Sequence, residues 1–394
     1  HMWKRILCLD KLPDSEERNR DLVNARTFLG LYLSQLNHWA EAWDAVEPVA
    51  QLARDGGYRK RLGQILSVKG CYHGFVEEDQ QKAFEALDES LSIAKDENDF
   101  ITLILSGMWE GVIHFSHCNY EKALSSFQMG VDLCIMAEST WGIAAQKAQQ
   151  AFFSHFPPGR VKTLTELSLE ALNIAEDSGD PLSRGVSYTA YGCACYLKGD
   201  IKEAEKYVRK GRDLCERIGF IGWAAIAHEC LGNIYFAMKD YEKATECFLK
   251  IIRSHKAARI NPSVVLRNNL PLALYRVMLG EGDVELEPLR RIAKNEKFKL
   301  YEGWSCRYMA EILLNLGSDH FSESEIWIQK AIDANTRNEM NFRLGMDYAL
   351  YGDYFRRKRD RIKARNKIGK GIDILLECGA DWWAEKYQKE LTEL

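Results

Sequence analysis

Three strings in the chain carry side chains that could do chemistry. His114-x-x-His117-Cys118 sets two imidazoles about one helical turn apart with a thiol beside them, a donor set that suits zinc. No second ligand cluster lies near it in the sequence, and the same residues serve equally as packing and turn residues at a helix end. Cys193-x-Cys195 is the tightest cysteine pair, but an i, i+2 spacing on a helix points the thiols in different directions. That favours small packing residues over a redox or metal pair. Gly159-Arg160-Val161-Lys162-Thr163 has the residue types of a phosphate loop without the Gly-x-x-x-x-Gly-Lys-Ser/Thr spacing that cradles a phosphate. Neither His-Glu-x-x-His nor Gly-x-Ser-x-Gly occurs, and paired carboxylates fall only on charged helix faces. The expectation is a chain with no catalytic residue, no metal and no cofactor.

The elements that must position these residues repeat along the chain. Gly and Ala recur twelve positions apart at Gly30/Ala42, Gly111/Ala123, Gly192/Ala204, Gly232/Ala244 and Gly352/Ala364, with a stretched copy at Gly70/Ala83. Successive alanines of this set fall at multiples of about 40 residues, so the chain is about nine copies of one unit. Each unit reads as two amphipathic helices. A glycine inside a helix costs about 1 kcal/mol relative to alanine, so its recurrence at one phase predicts close backbone approach there. Asn119, Asp200, Asp240 and Asp360, each four residues before the alanine, are capping residues for the second helix. Four residues after the alanine stands an apolar side chain, at Val46, Leu87, Phe127, Val208, Phe248 and Ile368, on the same face. Gly179, Gly219 and Gly379 sit where a left-handed C-cap would end the second helix. Two units, near 145–184 and 265–304, lack the signature but keep the phase through Leu164 and Val284. Pro157-Pro158-Gly159 falls at an inter-helix turn, and Pro181 suits a first helical turn.

Composition narrows the function classes. The 394 residues carry a formal net charge of -4, which argues against whole-surface attraction to nucleic acid or an anionic membrane. No apolar run approaches the roughly 18 to 20 residues that span a bilayer, and no signal core is seen at the start. Eleven cysteines without a framework read as reduced thiols, so the expected location is cytoplasmic. His1-Met2 reads as an expression remnant, leaving open whether Met2 is a native start or the chain is cut from a longer protein.

Leu231-Gly232, Tyr235, Ala244 and Phe248 match the Leu-Gly-x-x-Tyr, Ala-x-x-x-Phe skeleton of the tetratricopeptide repeat. The family's final proline is missing, and the period is near 40 rather than 34. The long second helices, as in Ala171 to Asp180, look like those attached to signal-transducing ATPases. The opening Leu12-Pro13-Asp14-Ser15-Glu16-Glu17-Arg18 and the ending Gly379-Ala380-Asp381-Trp382-Trp383-Ala384-Glu385-Lys386-Tyr387 resemble the carboxy-terminal region of bacterial proteins that join a class III nucleotide cyclase, an AAA-type ATPase and tetratricopeptide repeats. The resemblance implies an all-α, right-handed superhelix of about nine helix pairs. Residues 1–22 would form an N-terminal capping segment, 23–380 the array and 381–394 a C-terminal cap. The implied role is a regulatory or sensory segment that binds a protein or peptide, including a neighbouring domain of the same chain.

In tetratricopeptide arrays the first helices line the concave face. Four positions after each glycine phase the ladder reads Ser34, Gly74, Phe115, His155, Tyr196, Phe236, Arg276 and Arg356. Rings followed by arginines would suit a peptide with apolar anchors and an acidic end, whereas the plainer reading packs the rings between units. Asn233 occupies the phase of the carboxylate-gripping asparagine of some family members, with Glu229 where they carry lysine. Arg356 to Lys370 holds nine cations and one carboxylate. Arg357, Lys358, Arg359 and Arg361 form either a solvated face or a patch for an acidic partner or nucleic acid. Three readings stand: the regulatory segment of a larger signalling ATPase or cyclase, a free-standing peptide receptor of bacterial cell-to-cell signalling, and a helical-repeat nucleic-acid binder.

Overall fold

The computed structural model describes residues 2–281 and 284–393, and no strand occurs among them. Helix α1 (Met2–Leu9) precedes the array. The first four pairs are α2 (Glu16–Gln35) with α3 (Trp39–Asp55), α4 (Arg59–Tyr72) with α5 (Gln80–Asp96), α6 (Phe100–Ser116) with α7 (Tyr120–Met136), and α8 (Thr140–His155) with α9 (Val161–Ser178). Pairs five and six are α10 (Pro181–Lys198) with α11 (Ile201–Ile218) and α12 (Ile221–Ala237) with α13 (Tyr241–Ala258). In the seventh, α14 (Pro262–Arg267) and α15 (Asn269–Met278) face α16 (Leu286–Lys294). Then come α17 (Lys299–Leu316) with α18 (Phe321–Arg337), and α19 (Asn341–Arg357) with α20 (Arg361–Cys378); α21 (Asp381–Thr392) closes the chain. Nine pairs follow the forty-residue phase. The expected segment boundary after residue 22 lies inside α2.

The recurring glycine has the expected cause. A Cβ on Gly232 would stand 2.5 Å from the ring of Phe248, and one on Gly192 2.5 Å from Val208, the apolar residue that follows the second-helix alanine by four. The backbone oxygens of Ala42, Ala204 and Ala364 lie 3.1 to 3.2 Å from the same point on Gly30, Gly192 and Gly352. Helix α9 ends on Gly179 at φ 66°, α11 on Gly219 at 74° and α20 on Gly379 at 77°, left-handed caps that glycine adopts without strain. Asp240 and Asp360 cap through their side chains, accepting from the N–H groups of Lys243 and Lys363. Asn119 and Asp200 stand at the cap position without that bond. His117 and Cys118 form the turn after α6, with Cys118 at φ 61°. Among the described residues, no group of three or more His, Cys, Asp or Glu is placed to hold a metal ion.

The fourth unit keeps its phase, with Leu164 fully buried. The seventh is broken. Pro271 has no N–H to give the carbonyl of Arg267, and the helix parts at Asn268 into α14 and α15. Val284 is half-buried but precedes α16, so it does not take the alanine's place within a second helix.

The array coils back on itself. The Gly222 N–H donates to Asn37 Oδ1 (3.0 Å), and His38 Nε2 lies 3.1 Å from the Gly219 carbonyl. The Asn261 N–H donates to the Phe75 carbonyl (2.6 Å). A π-helical turn, His73–Glu77, delivers Glu78, whose carboxylate accepts from Ser263 N (2.8 Å) and Oγ (2.5 Å) and pairs with Lys297 (3.2 Å). Further along, Tyr120 donates to the Asn338 carbonyl (3.2 Å), and Trp383 Nε1 to that of Tyr196 (2.9 Å). These partners are 181 to 219 residues apart, which at about 40 residues per unit is roughly five units per superhelical turn. The C-terminal helix α21 therefore touches the fifth unit as well as the last.

Candidate functional site: an aromatic pocket

Where the two turns of the coil meet, the concave face becomes a pocket with walls from both. Helix α12 runs through it. Its sequence is apolar on every side except at His228, Glu229 and Asn233, the pattern of a helix covered all round. His228 turns to Glu216 on α11, with Nε2 2.8 Å from the carboxylate. Glu229 and Asn233, one turn apart on the same face, line a cavity of about 190 Å³. An apolar cavity of about 150 Å³ is enough to hold benzene.

The walls are rings. Trp39 stacks on Phe75 at 4.1 Å between centroids, and Trp109 meets Trp39 edge-on at 5.4 Å. Phe152, Phe153 and Trp223 form a second group with centroids 5.2 to 5.6 Å apart. Tyr301 and Trp304 on α17 form a third, 6.4 Å apart. Edge-to-face packing of this kind holds each ring in one orientation. Lining polar groups are few, among them Glu229, Asn233, His255 and Arg343. Glu229 accepts from Arg267 Nη2 at 3.5 Å, and the Arg267 guanidinium lies 3.8 Å from the Tyr301 ring centre. His255 holds Nδ1 3.0 Å from the Ile251 carbonyl, and burial pulls its pKa down to about 4, so it is neutral at pH 7. Burial pushes the Cys193 thiol well up, opposite to what a nucleophile needs.

The ladder divides. Phe115, Tyr196 and Asn233 line the cavity, with Phe115 set against Phe153 at 4.8 Å. Tyr196 is wedged between Phe342 and Trp383. His155 is buried outside the lining, its imidazole pulled down to about 4 by burial and by nearby Arg160. Phe236 packs on Tyr241 and Tyr275. Arg276 is exposed beside Glu281, and Arg356 is exposed against Asp353. In the basic run, Arg357 bonds Asp353 and reaches across to the Leu314 carbonyl and Asn315 of α17. Lys358 donates to Tyr354 Oη, Lys367 lies over Tyr351, and Lys370 over Tyr348. Arg359 occupies the turn at φ 62°, and Arg361 is exposed at the start of α20.

Sequence reasoning missed Arg343, Trp223 and Trp304. A signal existed for Arg343, a lone cation inside the apolar run Phe342-Arg343-Leu344-Gly345-Met346.

No protein-family model matches the sequence, and no curated protein matches it significantly. Solved structures do match in shape. A Rap protein complexed with the competence and sporulation factor aligns over 93% of this chain and 100% of its own, at 13% identity and TM-score 0.63. Aspartyl phosphate phosphatase F from Bacillus subtilis aligns over 92% and 95%, at 13% identity and TM-score 0.49. A signal-transduction ATPase with a tetratricopeptide repeat sensor, from Pyrococcus horikoshii, aligns over 84% of this chain and 51% of its own, at 16% identity and TM-score 0.41. The last two are too loose to carry an argument, so the fold comparison rests on the first. The chain is a tetratricopeptide-type helical-repeat superhelix.

Proposed function

We propose that this chain is a non-catalytic receptor module that binds a short peptide or a similarly sized ligand at the aromatic pocket of its concave face, with an apolar side chain seated in it. The observation that carries this is the cavity itself, a space walled by rings from units far apart in sequence, with a few convergent polar groups. Two settings have support. The opening and closing segments resemble the repeat region of cyclase and signalling-ATPase proteins, which fits a regulatory segment of a larger signalling protein with a neighbouring domain as partner. The near full-length likeness to a Rap protein solved with a bound factor favours a free-standing receptor. The coding region around the gene separates them, since an in-frame cyclase or ATPase supports only the first. In the basic run Arg357 is paired with Asp353, while Arg359 and Arg361 are exposed; no observation besides this charge supports nucleic acid.

The test fills the cavity without removing a ring. Ala225 lines it, and Ala225→Trp should keep the helical circular dichroism of the parent while abolishing ligand-induced rises in melting temperature across a library of short peptides. A stabilising peptide that acts equally on the parent and on this variant sits elsewhere, and the proposal fails.

A further inference from the structure

We infer that Arg343 is an anion anchor, so that the ligand of this cavity carries a carboxylate-like group on an apolar, ring-bearing body. The inference rests on the reading of the cavity as the binding site. Arg343 is 9% exposed and lines the cavity. Its guanidinium carbon lies 3.5 Å from the centre of the Trp304 ring. The other buried guanidiniums of this region have carboxylate partners: Arg307 pairs with Glu311 at 2.7 Å and Asp347 at 3.0 Å, and Arg267 with Glu229 at 3.5 Å, although Arg267 keeps Nε and Nη1 without a partner. For Arg343 no carboxylate of the described residues lies within pairing distance, and Nη2 has no hydrogen-bond partner. Asp347, one turn further along α19, bonds Arg307 and Asn335 Nδ2 (2.6 Å) and attracts Arg343 only through space, without a hydrogen bond. Beside Arg343, the indole N–H of Trp304 is also buried without an acceptor.

Two donors without a hydrogen-bond partner thus sit in the pocket wall, and a ligand must shift the Arg343 side chain slightly to meet Nη2. Stacking on an indole face offsets part of the cost of burying a cation, but it leaves the in-plane N–H groups empty. An unpaired buried charge is strongly unfavourable, whereas an anion brought into the same low-dielectric space gains short, charge-assisted hydrogen bonds. Glu229, the other charged lining residue, pairs with Arg267 and makes no salt bridge with Arg343. The rings suit the remainder of the ligand. The anion could be the terminus of a short peptide or the acid group of a small aromatic molecule.

The experiment uses the full chain and two probes of similar shape, anionic 8-anilinonaphthalene-1-sulfonate and uncharged N-phenyl-1-naphthylamine, read by energy transfer from tryptophan. The parent should bind the anionic probe at least tenfold more tightly. Arg343→Met should erase that preference by weakening the anionic probe alone, and it should keep or raise the melting temperature, because an apolar chain of similar length replaces an unpaired charge. Arg343→Lys should retain part of the preference. Equal affinity of the two probes for the parent, or an unchanged preference in Arg343→Met, overturns the anchor while leaving the cavity reading intact. A lower melting temperature with unchanged probe binding marks Arg343 as a packing residue and also overturns it. Failure of both probes to bind the parent, or retention of both by Ala225→Trp, counts against the cavity reading itself. Displacement of the anionic probe by N-acetyl-Phe-Phe acid but not its amide assigns a peptide terminus, and displacement by 2-naphthoate alone assigns a small aromatic acid.

Discussion

At the scale of single residues, burial decides which groups can respond to pH. His155 and His255 are both pulled down to about 4 by desolvation, against an unfolded value near 6.5. The unfolded chain therefore binds more protons than the folded one between these values. Each histidine contributes stability that is present above pH 6.5 and lost as pH falls towards 4, on the order of 1 to 3 kcal/mol. Asp347 acts in the opposite sense, since burial raises it to about 6 and acid relieves its charge. His255→Leu should flatten the pH dependence of urea-unfolding free energy between pH 4 and 6.5 by about one proton; an unchanged slope would show that His255 titrates normally in the folded state. The cavity was only partly legible at this scale. Phe115, Tyr196 and Asn233 could be named because helical phase alone puts them on the concave side. Phe236, Arg276 and Arg356 share that phase but not that environment: Phe236 packs on Tyr275, and the two arginines are exposed beside Glu281 and Asp353. Trp304 and Arg343 meet only across units, and no spacing along the chain encodes that.

Elements show why the same glycine can be dear in one place and cheap in another. A Cβ on Gly232 would lie 2.5 Å from the ring of Phe248, and a Cβ on Gly107 would lie 2.5 Å from the terminal methyl of Met129. Phe248 is fully buried and packed on Tyr275, so it cannot yield. Met129 is half-buried and flexible at that end. Gly232→Ala should lower stability by about 1 to 3 kcal/mol despite alanine's better helix propensity. Gly107→Ala should be neutral or stabilise by up to about 1 kcal/mol. Equal losses in denaturant midpoint for the two variants would remove the packing explanation. Helix pairs, caps and period were readable because they repeat, and each copy votes for the same phase. The seventh unit was not, since Pro271 and the Asn268 break belong to one copy alone.

For the whole molecule, closure is the property that no repeat contains. An open stack has only nearest-neighbour interfaces and frays from its ends. Here contacts between partners more than 180 residues apart tie the first units to the sixth and seventh. Glu78 is the centre of that seam, in a left-handed position that asparagine tolerates. Glu78→Asn keeps the backbone but is too short for Ser263, and should cost about 1 to 3 kcal/mol while enlarging the radius of gyration in small-angle scattering. An unchanged scattering curve would show that the seam does not hold the coil shut. The same seam links binding to the shape of the coil. A pocket whose walls come from both turns exists only while they meet, so a ligand that fills it also resists their parting. Saturating ligand should therefore slow proteolysis and hydrogen exchange in units far apart in the chain together, by an amount that grows with its concentration.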